Sequence, residues 1–157
     1  MGVKDLFLQK GWAGTTIDRP ATVDRVNPLI ERHLRLNHGY EYAIRTSTDA
    51  QFAAQLGLFQ RIARMDAGKM AEIVYSNGGV AFNGTQLEAN QFDLGTGDAI
   101  AYQLLDAEQA FQDALQAEFD AGDHHMRTRG VLTAIQRNSA ERLDYLKELT
   151  RGKTRPA

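Results

Sequence analysis

Four long segments with apolar residues at helical spacing, split in the middle by about 20 residues without any such period, constrain this chain more than any other feature. In the first segment Val26, Leu29, Ile30, His33, Leu36, Asn37, Tyr40 and Ile44 recur at three and four, the spacing of one buried helical face. Asn27-Pro28 reads as its start, because asparagine caps free N–H groups and proline suits the first turn; a start one turn earlier, at Thr22, fits as well. Thr46-Ser47-Thr48-Asp49 then makes a short turn. The second segment, about 49–76, lines up Phe52, Leu56, Phe59, Ala63, Asp66, Met70 and Ile73, and Asn77-Gly78-Gly79 ends it. After the aperiodic stretch 80–96, a third helix over about 97–120 points Ala101, Leu104, Glu108, Phe111, Leu115 and Phe119 inward. A tight turn at Asp120-Ala121-Gly122-Asp123 leads to a fourth, about 124–150, with Leu132, Ile135, Ser139, Leu143, Leu146 and Leu149 inward.

Connection lengths turn these elements into a topology. Short turns make helices one and two antiparallel, and likewise three and four. An extended link of that middle length reaches ~65 Å at ~3.3–3.6 Å per residue. A helix of the length seen here spans only ~42 Å at ~1.5 Å per residue. The link can therefore run the full length of the bundle. Two helical hairpins joined by one long crossover make the ferritin-like arrangement rather than a simple up-down-up-down bundle. The domain reading is an amino-terminal arm at 1–21 holding Phe7 and Trp12, a bundle at 22–150, and a mobile basic tail at 151–157.

A chain of 157 residues suffices for one domain with its own core. Its formal net charge of −2 gives no electrostatic case for nucleic acid or an anionic membrane. There is no cysteine, which removes disulfides, thiolate nucleophiles and cysteine-ligated metals. No apolar run is long enough to span a membrane, and the first residues lack the apolar core of a signal peptide. A soluble, cytoplasmic protein is expected.

Each apolar stripe is interrupted near mid-length by polar residues: His33 and Asn37, Asp66, Glu108, then Ser139 with Arg142. Inward carboxylates and a histidine at one level are how metal sites are built inside bundles. With LIERHLRLNHGYEYAI in the first helix, SNGG before the crossover and LLDAEQAFQDAL in the third, the chain resembles the ferritin-like superfamily over about residues 24–150. It is most similar to the small bacterial bundles related to rubrerythrin. That resemblance implies a di-iron or di-manganese centre, with one glutamate from each of two helices and a Glu-x-x-His from each of the others.

Residue by residue, the implied ligand set is incomplete. Glu108 stands at a ligand position. The first helix offers His33 or His38 on or near the stripe, flanked by Glu31 and Glu41, of which Glu41 turns more inward. The second helix has Asp66 and Lys69 where Glu and His belong, and the fourth has Ser139 and Arg142. His33, Asp66 and Glu108 remain as three possible ligands for iron or manganese. Arg142 competes with that reading, since a guanidinium is permanently charged and fits a carboxylate with two parallel hydrogen bonds. It can replace the metal by pairing with Glu108 or Asp66. We therefore expect a hydrogen-bonded polar layer with no cofactor, with a mononuclear or dinuclear metal site as the alternatives.

Other signals read more plainly. Asp123-His124-His125 has the composition of a surface metal site, but an aspartate cap with two solvated histidines is the simpler account. Tyr40 and Tyr42 read as packing residues whose hydroxyls find partners. Gly57 and Gly68 share a helix face where the crossover, the arm or a second subunit is expected to approach. The resemblance and the apolar arm together suggest a homodimer. Three functions remain in play: a non-catalytic structural or interaction module, stress-related by resemblance alone; a metal-dependent oxidoreductase or iron-handling protein; and a carrier or sensor holding a small ligand in the polar layer. Fold likeness does not choose among them.

Overall fold

In the computed structural model, which describes residues 16–156, helix α1 begins well before the Asn27-Pro28 pair. It runs Arg19–Thr46, with Pro20 in its first turn and Asp18 as the cap, its carboxylate accepting from Ala21 N at 2.9 Å. Asp18 and Pro20 thus provide the start signals expected of Asn27 and Pro28. Pro28 lies inside α1 and on its exposed side. Its ring removes one N–H, and the carbonyl deprived of that partner belongs to exposed Asp24, where water can satisfy it. The amino-terminal residues holding Phe7 and Trp12 lie outside the described residues.

Helix α2 spans Ala50–Ser76, α3 Asp98–Ala121 and α4 Met126–Thr150. Asp49 caps α2 through Gln51 N and Phe52 N. At its other end Gly78 takes φ +82°, and the amides of Gly78 and Gly79 bond back to the Tyr75 and Val74 carbonyls. This closure satisfies carbonyls that a helix end leaves open. Helix α1 packs on α2 and α3, and α4 packs on the same two. The chain is an all-α four-helix bundle with a long loop between the second and third helices, as the spacing argument expects.

The loop, 77–97, crosses the length of the bundle along α1. Gly79 meets Val23, the Asn27 amide holds Val80 and Phe82, Phe92 stacks on His38 with centroids 4.7 Å apart, and Tyr42 donates to Asp93 and to the Gly95 carbonyl. Asn27 donates to Val80 O at 3.0 Å and accepts from Phe82 N at 2.8 Å, bonding both faces of one backbone stretch. A loop without secondary structure of its own needs such partners for its polar backbone. Because the loop follows α1, it does not cover Gly57 or Gly68 on α2. A Cβ at either glycine meets no described atom within 4 Å.

The core is a column of fully buried apolar side chains, including Val26, Ile30, Leu56, Met70, Phe111, Leu115, Leu132 and Ile135. At the carboxyl end Tyr102 donates to Lys153 O at 2.7 Å, Lys153 reaches Asp98, and Arg155 pairs with Asp106. The basic tail, exposed along its described length, thus makes contacts with α3.

Candidate functional site

Residues from all four helices build the polar layer because three-and-four spacing turns them toward one axis. Tyr40 comes from α1, Asp66 from α2, Glu108 from α3, and Ser139 with Arg142 from α4. Exposure of each side chain is 0%, save 1% for Arg142. Glu108 is the hub. Its Oε1 accepts from Tyr40 Oη at 2.7 Å and Arg142 Nε at 2.5 Å; its Oε2 accepts from Ser139 Oγ at 2.6 Å and Arg142 Nη2 at 3.3 Å. Arg142 therefore meets the carboxylate side-on with two parallel hydrogen bonds, the geometry that most strengthens such a pair.

Charge follows geometry. Burial works against the guanidinium's charge, but the Glu108 charge and hydrogen bonds, with Tyr40 and Asp66 beyond them, hold the Arg142 pKa above its ordinary value. Burial and then the Glu108 charge push the Tyr40 phenol well above its usual range, so it stays protonated and donates. Asp66 sits apart from the hub. Both its oxygens accept from Asn138 Nδ2, at 3.2 and 2.9 Å, and half-exposed Lys69 stands 3.5 Å from Oδ1. The Glu108–Arg142 pair links α3 to α4 and Tyr40 ties in α1, while Asp66–Asn138 links α2 to α4.

His33 lies beside Phe111, ring centroids 4.6 Å apart, and Asn37 Nδ2 is 3.4 Å from its Nδ1. Burial and the Arg142 charge lower its pKa from 6.5 to about 3, so it is a neutral imidazole across ordinary pH. Its Nε2, with Asn37 Oδ1 and Arg142 Nη1, is buried without a hydrogen-bond partner among the described residues. Such atoms are uncommon in folded proteins.

The three ligand candidates named from the sequence, His33, Asp66 and Glu108, are all in the core, but they do not form one chelating group. Among the described residues no three His, Cys, Asp or Glu side chains stand close enough to hold a common ion. Each has its own partners: Asn37 for His33, Asn138 and Lys69 for Asp66, Tyr40, Ser139 and Arg142 for Glu108. The donor set does not fit a di-iron or di-manganese group, because a fixed cation already fills the position beside the central carboxylate.

No protein-family model matches the chain, and no curated protein matches it in sequence. The chain forms a four-helix bundle with a buried ion pair at its centre. Among the described residues, no helix is long and apolar enough to cross a membrane.

Tyr40, expected to pack with its hydroxyl on a partner, does so on Glu108, whereas no sequence feature of its own singles out Asn138. Its neighbour Ser139 on the stripe was the available signal, since residues at a stripe's edge point partly inward. Glu41 turns toward α2, accepting from Gln60 at 2.9 Å. Expectations at the 120–125 turn need correction. His125, not Asp123, caps α4, accepting from Arg127 N. Asp123 instead gives its carbonyl to Ile17 N and its carboxylate to Arg129. His124 is buried rather than solvated, with Nε2 2.7 Å from Glu118, because the turn folds it under the start of α1 beside Arg25.

Proposed function

We propose that this chain is a ferritin-like bundle whose metal has been replaced by Arg142, and that it acts as a non-catalytic structural or interaction module. One observation carries the reading: the Glu108 carboxylate, where a ligand would be, is fully engaged by Arg142, Tyr40 and Ser139. A metal ion gathers ligands from several helices and can exchange or change oxidation state. A guanidinium gathers the same helices and can do neither. The layer then serves to hold the bundle in register, a use of buried ionic groups known from some other folds. The rubrerythrin-like resemblance adds a stress-related setting to this reading.

Pairing of two copies belongs to the same reading. Exposed Leu58, Ile62 and Met65, at successive turns of one α2 face, offer apolar surface for it. Sedimentation of the full chain would show a dimer that Ile62→Glu converts to monomer; a wild-type monomer at all concentrations removes this part.

The central test is elemental. Protein purified without an affinity tag should carry only substoichiometric iron, manganese and zinc, unchanged in Glu108→Ala. Stoichiometric metal that disappears in Glu108→Ala would overturn the proposal in favour of a metal-handling oxidoreductase.

A further inference from the structure

Between α1 and α3, beneath the end of the crossover, lies an open cleft of about 410 Å3. That volume lies within the range of small-molecule sites, roughly 300–1,000 Å3. Leu36, Leu104 and Phe111 form its floor, each at most 3% exposed. Phe92 and Leu94 of the crossover wall one side. Above that floor α3 lines the cleft with Gln103, Ala107 and Ala110, and the two alanines, both exposed, are too small to fill it.

The mouth is cationic. Arg32 and Arg35 stand there from α1, with Asp106 from α3. Arg35 is taken up by Glu31 at 3.1 Å, and Asp106 is held by Arg155 through two hydrogen bonds of 2.6 and 3.0 Å. Each of those pairs is neutral. Arg32 makes no ion pair among the described residues, so its charge is the one left over at the mouth. An apolar floor below a single uncompensated guanidinium matches an amphiphile with one negative head.

The geometry points to this cleft as a binding site for a monoanionic amphiphile, a medium-chain carboxylate whose chain lies on Phe111 and Leu104 while its carboxylate meets Arg32. This site is separate from the Arg142 layer and does not rest on the function proposed above. The crossover wall gives bound ligand a direct contact with the segment that joins the two helical hairpins.

Sodium decanoate, kept below micelle-forming concentration, is the probe, titrated into the 15N-labelled full chain. Saturable shifts should concentrate at the amides of Leu36, Gly39, Phe92, Leu94 and Leu104. Arg32→Gln should weaken binding roughly tenfold, the size of one charge-assisted hydrogen bond (about 1.4 kcal/mol). Uncharged decanol should bind more weakly by a similar factor. Ala107→Trp should abolish the shifts by filling the cleft from an exposed position. Ala110→Phe serves the same purpose if that variant loses its dispersed spectrum. Absence of saturable shifts, unchanged affinity in the folded filled variant, or decanol binding as tightly as decanoate would each overturn the assignment.

Discussion

Arg142 meets Glu108 edge to edge, Nε to Oε1 and Nη2 to Oε2, at a depth where neither side chain is more than 1% exposed. Both charges have lost water, so the attraction is strong and its loss is expensive. Arg142→Ala should lower unfolding free energy by about 3–5 kcal/mol, because it strands a buried carboxylate. The double change Glu108→Leu with Arg142→Met should cost far less than the two single changes together. Urea unfolding of the four proteins gives the coupling directly, and additive losses would remove the ion pair from the account of stability.

His33 supplies an acid sensitivity that can be separated from that of the carboxylates. Its folded pKa is about 3 against an ordinary 6.5, so below pH 6.5 the unfolded chain binds a proton that the folded chain refuses. Stability should therefore be insensitive to His33 above pH 6.5 and fall as pH drops from there toward 3. The slope approaches about 1.4 kcal/mol per pH unit from this group alone. Denaturation curves of wild type and His33→Leu between pH 7 and 4.5 test it: the variant's slope should be shallower, and parallel curves would show that His33 is not buried neutral.

Asn27 joins α1 to the crossover by one donated and one accepted hydrogen bond. Asn27→Ala should cost about 1–2 kcal/mol, the sum of two ordinary hydrogen bonds. Amide exchange at Phe82 should speed up more than exchange in the helix cores. Asn27→Asp keeps the acceptor for Phe82 N–H and should protect that amide better than alanine does. Equal exchange at Phe82 in all three proteins would mean that the loop is held elsewhere.

Gly79 lies so close to α1 that an added Cβ would come within 2.5 Å of Val23 Cγ1 and 2.6 Å of Cγ2. Gly79→Ala should destabilise by about 1–3 kcal/mol through overpacking. Val23→Ala in the same chain should recover part of that loss, which thermal or urea unfolding of the pair would reveal as favourable coupling. A harmless Gly79→Ala would show that the loop can move off α1 there.

Helical periodicity and connection lengths made the bundle and its crossover legible, because both report backbone geometry that depends little on neighbours. Helix ends were less so. Asn27-Pro28 carries strong start signals, but Asp18 and Pro20 carry them too, and burial of Thr22 and Val26 extends the helix past the internal proline. Asp123 has the local pattern of a cap without the role. Its carbonyl and carboxylate are claimed by Ile17 and Arg129, leaving His125 to cap α4.

By itself the sequence determined that four amphipathic helices form, that a long link runs between the middle two, and that each helix brings polar groups to one depth. Only tertiary structure decided how those groups pair. A helical stripe limits which side chains face inward, but not whether Arg142 turns to Glu108 or to Asp66. That choice depends on side-chain reach and on which donors already occupy each oxygen. Asn138 satisfies Asp66, while Tyr40 and Ser139 leave Glu108 an edge that the guanidinium fits. The cleft above Phe111 was equally invisible in the sequence, since it depends on where an aperiodic loop rests and on two alanines that its path leaves uncovered.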